Sequence, residues 1–193
     1  MSSRRLTLLF TALAWLSSPA LAAELMDVKV ERVEGRYELR SETLFDADQD
    51  ALYRVLTDYD QFEKFTSAFT VSKNLDPDEQ GRPRFYNEME GCVLFFCVTF
   101  ERYGHLELTP MEHIRAVVDP EKSDFEYSEE QWTLSPEGDR TLMVYEFAME
   151  PSFWVPPVVG PFYIRRALRA GAIRAVDRIE ALAQGREPAP TGQ

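Results

Sequence analysis

The chain carries little of the equipment used to make and break bonds. It has two histidines, two cysteines and 33 acidic residues against 21 lysines and arginines. His105 falls on the polar side of a stretch that alternates from Val98 to Leu108, and His113 opens the next such stretch. Both read as surface or turn residues. No GxSxG, HExxH, GxGxxG, P-loop or CxxC spacing occurs. No pair of histidines and acids has ligand spacing, so neither a catalytic residue, a metal nor a cofactor is assigned. Asp46, Asp48 and Asp50, and Asp76, Asp78 and Glu79, fall in expected turns as capping or solvated groups. Glu146 sits between Tyr145 and Phe147, which take the inner face, and so points to solvent.

The cysteines are the sharpest local feature. Cys92 and Cys97 bracket Val93, Leu94, Phe95 and Phe96. In one straight strand their Cα atoms would stand about 17 Å apart. A disulfide needs roughly 4.4–6.8 Å. Either both thiols are free or the chain turns between them. Alternating stretches on both sides and an oxidising compartment favour a hairpin with a disulfide across an apolar tip.

Binding is the remaining chemistry. Asn87 lies between Phe85 and Met89 on an apolar face, placed to orient the polar head of a ligand or to be satisfied by backbone. The elements that would position it are legible from periodicity. Period-two stretches run from Val28 through Phe45, from Val71 to Leu75, and then repeatedly from Arg84 to Met149. Leu52, Val55, Leu56 and Tyr59 mark a short helix, and Phe62 and Phe65 a second. One apolar face per strand predicts an antiparallel sheet covered on one side. The only long amphipathic cover is a last helix from Pro161 to about Gln184, with Ile164, Leu168, Ala172, Val176 and Ile179 in its stripe. Its centre is small: Ala167, Gly171, Ala172 and Ala175. Such residues suit either tight packing on the sheet or room for a guest molecule.

The first 22 residues read as an export signal. Arg4 and Arg5 precede an apolar run, Leu6 to Leu16, and Ala20-Leu21-Ala22 forms a small-x-small cleavage site. The expected domain then covers residues 23–184, with a polar, proline-rich disordered tail over 185–193. The predicted location is periplasmic. A formal net charge of −12 argues against nucleic-acid partners.

The order long strand, two short helices, antiparallel strands, long C-terminal helix resembles the START-like (SRPBCC) superfamily. Local stretches are similar to its polyketide cyclase/dehydrase and coenzyme Q-binding branch: Leu56-Thr57-Asp58-Tyr59-Asp60-Gln61-Phe62, Gln131-Trp132-Thr133-Leu134-Ser135-Pro136, and Thr141 to Tyr145 with Pro151 and Pro156 after it. The resemblance implies an α+β helix-grip fold, a curved antiparallel sheet wrapped around the long helix. It also implies a deep apolar cavity between the sheet and that helix, where members bind lipids, quinones, sterols or polyketides and some catalyse cyclisation. With no catalytic residue assigned, the expected role is non-catalytic binding or transport of a lipid, quinone or polyketide-like molecule. The expected lining is Phe85, Asn87, Met89, Phe100, Leu106, Trp132, Tyr145, Phe147, Ala167 and Gly171. The apolar tip Val93, Leu94, Phe95 and Phe96, with Phe153 and Trp154, would border the mouth or dock on membrane or an envelope protein. Two alternatives stand beside this: a cyclase- or hydrolase-like enzyme, marked by ionisable side chains inside, and an interaction module with a vestigial pocket.

Overall fold

Eight strands form one antiparallel sheet in the order β1-β2-β8-β7-β6-β5-β4-β3. The structure, a computed structural model, describes residues 22–93 and 96–190. The strands are β1 (Glu24–Val33), β2 (Arg36–Phe45), β3 (Phe69–Leu75), β4 (Arg84–Val93), β5 (Phe96–Thr109), β6 (His113–Val118), β7 (Phe125–Glu137) and β8 (Arg140–Pro151). Helices α1 (Gln49–Thr57) and α2 (Phe62–Phe65) lie between β2 and β3, and α3 (Gly160–Ala183) closes the chain. This is the helix-grip arrangement. The export segment lies outside the described residues up to residue 21, as do residues 191–193 of the tail. Residues 186–190 run back beside α3, where Arg178 donates to the Ala189 and Pro190 carbonyls.

Local chemistry explains the connections. Glu34 and Gly35 both take positive φ (51° and 97°), which suits a two-residue hairpin turn between β1 and β2. Gly104 permits a close approach: a Cβ there would stand 2.4 Å from the Val117 carbonyl oxygen and 2.5 Å from the Phe85 ring. β3 is an edge strand whose free amides are covered. Glu63 accepts from Ser72 N (2.8 Å) and Asp60 from Asn74 N (2.9 Å), tying the short helices to the sheet.

The inner face holds two apolar clusters. One joins Leu52, Leu56, Phe62, Phe85, Ile114 and Trp132 to Val176 and Ile179 in the C-terminal half of α3. The other joins Tyr37, Leu39, Phe125, Phe147 and Met149 to partly buried Ile164, Leu168 and Ala172 in its N-terminal half. At the far end of β4 and β5, Cys92 and Cys97 face each other across the ladder and are bonded, with Cα atoms 4.0 Å apart. The chain does turn between them, and the mouth residues Leu94 and Phe95, with the side chains of Val93 and Phe96, lie outside what the structure describes.

The bond closes a very short loop remote from both clusters. Reduction or Cys92→Ser/Cys97→Ser should lower stability by about 2 kcal/mol, the chain-entropy value for so small a ring. Urea titration with and without reductant checks this. The far-ultraviolet spectrum should not change.

Candidate functional site

Between the two clusters a polar belt crosses the concave face of the sheet. On β4 Asn87 stands between Phe85 and Met89, and on β5 Arg102 is its direct cross-strand partner. Ser72 of β3 pairs with Asn87 on its other side. On β7 Glu130 and Ser128 continue the line, and on β2 Ser41 and Thr43 do, all of them buried. Tyr145 of β8 lies beside Ser41 and Trp132 in register, its ring 5.3 Å from the Trp132 ring. From above, the turn Tyr59–Gln61 inserts Tyr59, whose ring stacks on Phe62 (4.0 Å) and Phe85 (4.3 Å). Asn74 Oδ1 holds the Tyr59 amide at 3.2 Å, and Asp58 accepts from Asp60 N and Asn74 Nδ2.

The centre of the belt is an ion pair between Arg102 and Glu130. Arg102 is 1% exposed and Glu130 4%. Nη2 of Arg102 lies against Oε1 of Glu130 but out of hydrogen-bond alignment, and Nε has no partner among the described residues. Nη1 reaches only the Met89 sulfur, at 4.0 Å. The guanidinium sits 5.9 Å from the Phe85 ring centroid and 5.8 Å from that of Phe147. Tyr145 donates its hydroxyl to Glu130 Oε2 at 3.4 Å. Asn87 donates to Ser72 Oγ at 2.6 Å, leaving its own Oδ1 without a partner. The buried oxygens of Tyr37, Thr43, Tyr59 and Ser128 are likewise unpartnered among the described residues. Orphaned polar atoms cost roughly 1–3 kcal/mol each, so this many on one face calls for a reason.

Electrostatics keep Arg102 charged and the phenols neutral. Burial pulls the Arg102 pKa down, but the Glu130 carboxylate more than reverses this, and the net shift is upward. Burial pushes both Tyr59 and Tyr145 well above the ordinary tyrosine value, and the negative Glu130 adds to it against a smaller opposing effect of Arg102. The hydroxyl end of Tyr145 is deeply buried although the residue keeps partial exposure.

Of the residues expected to line a pocket, Phe85, Asn87, Leu106, Trp132 and Phe147 are buried on the concave face, with Met89, Phe100 and Tyr145 partly so. Ala167 is corrected: it is exposed, because it lies on the flank of α3 and not in the stripe formed by Ile164, Leu168 and Ala172. Gly171 is half-exposed, and a Cβ there meets nothing within 4 Å. Phe153 packs inward, stacked on Phe100 at 4.1 Å, whereas Trp154 is 79% exposed. Glu146 is exposed beside Arg40, His105 lies 2.8 Å from Arg82, and His113 3.2 Å from Gln131. Two surface depressions of about 280 and 300 Å³ lie beside Arg82 and His105 and over the outer strand face at Arg40 and Glu146; neither includes an α3 residue.

Residues 45–174 match the family of polyketide cyclases/dehydrases and lipid transport proteins. The chain belongs to that family. Among solved structures it is similar to a STAR-related lipid transfer protein from Xanthomonas axonopodis, at 17% identity and TM-score 0.64 over 84% of this chain and 99% of that one. A START superfamily protein from Mycobacterium smegmatis gives 14% and 0.60 over 77% and 97%. The Zhui aromatase/cyclase from Streptomyces gives 10% and 0.60 over 77% and 94%. No curated protein matches the chain. Membership of the family makes this a hydrophobic ligand-binding fold.

Arg102→Met should cost about 3–5 kcal/mol, because it strands Glu130 in the interior, whereas Arg102→Met/Glu130→Leu should cost less than either single change. Urea unfolding of the three variants measures this. The raised phenols give a second expectation. The folded state binds those protons more tightly than the unfolded chain, so stability is flat through neutral pH and falls as pH rises above about 10. Tyr59→Phe should make that fall shallower, and absorbance of tyrosinate at 295 nm should follow unfolding.

Proposed function

We propose that the protein binds one amphipathic small molecule, a lipid, quinone or polyketide-like compound, in the periplasm without altering it. The observation that carries this is the buried Arg102 guanidinium, paired with Glu130 through Nη2 but with Nε unpartnered among the described residues and Nη1 reaching no oxygen acceptor. An apolar body would take the place between Phe100, Phe147, Leu168 and Ala172, and an oxygen-bearing head would meet Arg102, Asn87 and Tyr59. Burial supplies affinity at about 25 cal/mol per Å² of apolar surface, and the polar groups fix orientation.

Entry requires α3 to yield at one end. Its C-terminal half is anchored by buried Val176, Ile179, Glu180 and Ala181, while in its N-terminal half only Gly160 is fully buried. That half therefore opens at lower cost. Beside it Trp154, Val158 and Phe162 are exposed at 79%, 87% and 58%. No acidic residue occurs between Glu150 and Asp177, whereas Arg165, Arg166, Arg169 and Arg174 do. An apolar tip with a basic collar, on an otherwise acidic protein, supports docking of this end on an anionic membrane surface, where a ligand would be collected or delivered.

The ionisable interior favours a second reading, an enzyme of the cyclase type. Arg102 would polarise a carbonyl oxygen, and Tyr59 or Tyr145, held neutral, would serve as proton donor.

Native mass spectrometry of protein purified from its own envelope should detect a copurifying amphiphile. A fluorescent long-chain carboxylate should bind the wild type, and Arg102→Met/Glu130→Leu should weaken it by about tenfold more than it weakens the matching alcohol. Equal weakening of both removes the basis for head recognition by Arg102. Conversion of a polyketide-like substrate, lost in Tyr59→Phe, would replace the carrier reading with the enzymatic one.

A further inference from the structure

Glu180 is a second buried acid, and nothing in the belt uses it. It lies on α3 between buried Ile179 and Ala181 and is 4% exposed. Its two oxygens accept one backbone amide each: Oε1 from Asp46 N and Oε2 from Ala23 N, both at 2.9 Å. Among the described residues no lysine, arginine or histidine nitrogen comes within 4.0 Å of it. Arg140, which faces the same stretch of chain, is turned to the Leu44 and Ala22 carbonyls (3.0 and 3.5 Å) and to Glu24 (4.0 Å). A buried carboxylate with two neutral donors and no counter-charge is a costly arrangement.

The sequence marks the same place independently. Ala20-Leu21-Ala22 is a cleavage site of the small-x-small kind, and the bond it marks is Ala22–Ala23. The nitrogen released by cutting that bond is the one Glu180 already holds. Ala22 is exposed, while Ala23 is half-buried and packs against the larger apolar cluster.

We propose that Glu180 is the docking site for the α-ammonium of a mature chain beginning at Ala23, so that removal of the export segment completes the fold. An export peptidase hydrolyses the Ala22–Ala23 amide with one water. The hydroxyl goes to the Ala22 carbonyl carbon, which leaves as a carboxylate. The Ala23 nitrogen takes up hydrogen to become an amine, protonated at neutral pH. A neutral amide donor thereby becomes a cation at the same position, and the contact becomes a charge-assisted ion pair. It clamps the start of β1 onto α3, at the end of the helix that stays anchored. The uncut chain keeps the same carboxylate buried with no cation against it.

The test uses mature protein exported by the cell, its first residue identified by mass spectrometry. Its α-amine is left free, acetylated, or extended by Gly-Ser in the gene, each in the wild type and in Glu180→Gln. Urea titration should show that acetylation or extension lowers the folding constant by about tenfold in the wild type, the equivalent of one pKa unit. In Glu180→Gln it should do so by less than about twofold. Nuclear magnetic resonance of the Ala23 α-nitrogen should show a pKa raised above the ordinary value of about 7.7–8.0. That titration needs no variant, so it decides the matter even if Glu180→Gln does not fold. A mature chain starting at another residue, equal losses in both backgrounds, or an ordinary α-amine titration would each overturn the proposal.

Discussion

A guanidinium without water must have an anion against it, and the inner face of this sheet is organised by that requirement. Arg102 stands on β5 among aromatic rings, and among the described residues the only carboxylate that meets it comes from β7, two strands away. On the intervening β6, Glu130 is paired in register with Ala116, the smallest side chain of that strand's inner face. The register of three strands is thus fixed by charge as well as by apolar alternation, since a one-residue slip would send Arg102 or Glu130 to the opposite face. Replacing such a pair by apolar side chains of similar volume is often neutral or stabilising. The pair is therefore poorly explained as a device for stability alone, and one guanidinium nitrogen, Nε, is left over from it among the described residues.

The rest of the belt follows the same logic at lower cost. Asn87 is flanked two positions away by Phe85 and Met89, and the outer members of the belt border apolar residues on one side, as Thr43 does Phe45, Ser41 Leu39 and Glu130 Trp132. Tyr59 reaches the belt from a turn, and that turn is held by side chains of Asp58 and Asn74 rather than by a ladder. The covering helices therefore do two jobs. They protect the open edge of β3, and they deliver a neutral phenol next to a fixed ion pair.

How much of this the sequence discloses depends on the kind of constraint. Strands, helices, the β1–β2 turn and the hairpin between the cysteines all follow from periodicity and turn chemistry, because burial of one face acts on every second or every third to fourth residue. Arg102 and Glu130 were legible in principle. The phase that puts Phe100 and Leu106 inside also puts Arg102 inside, and the phase of Trp132 and Leu134 also places Glu130. Reading only the apolar members of each face hides the charged ones. Tyr59 carries no such signal, since its position depends on a turn closed by Asn74, fifteen residues away. Ala167 shows the converse: small size suggests the inner face, but the angular position of the residue puts it on the flank of α3.

The two ends of α3 do different things, and this follows from what each end touches. At the C-terminal end Val176, Ile179 and Ala181 are buried against the larger cluster, and Glu180 ties the helix to the start of β1 and to Asp46, segments far away in sequence. At the N-terminal end the contacts are partial, made through Ile164, Leu168 and Ala172 to the smaller cluster, and the preceding segment carries an exposed tryptophan. A rod fixed at one end and loosely held at the other moves by pivoting, and the free end travels furthest. Under the proposed binding role, that free end would be the route to Arg102, while the sheet register and the ion pair stay as they are. Under the same proposal, a surface that engaged the apolar and basic residues of the free end would also bear on the part of the helix nearest the route to Arg102.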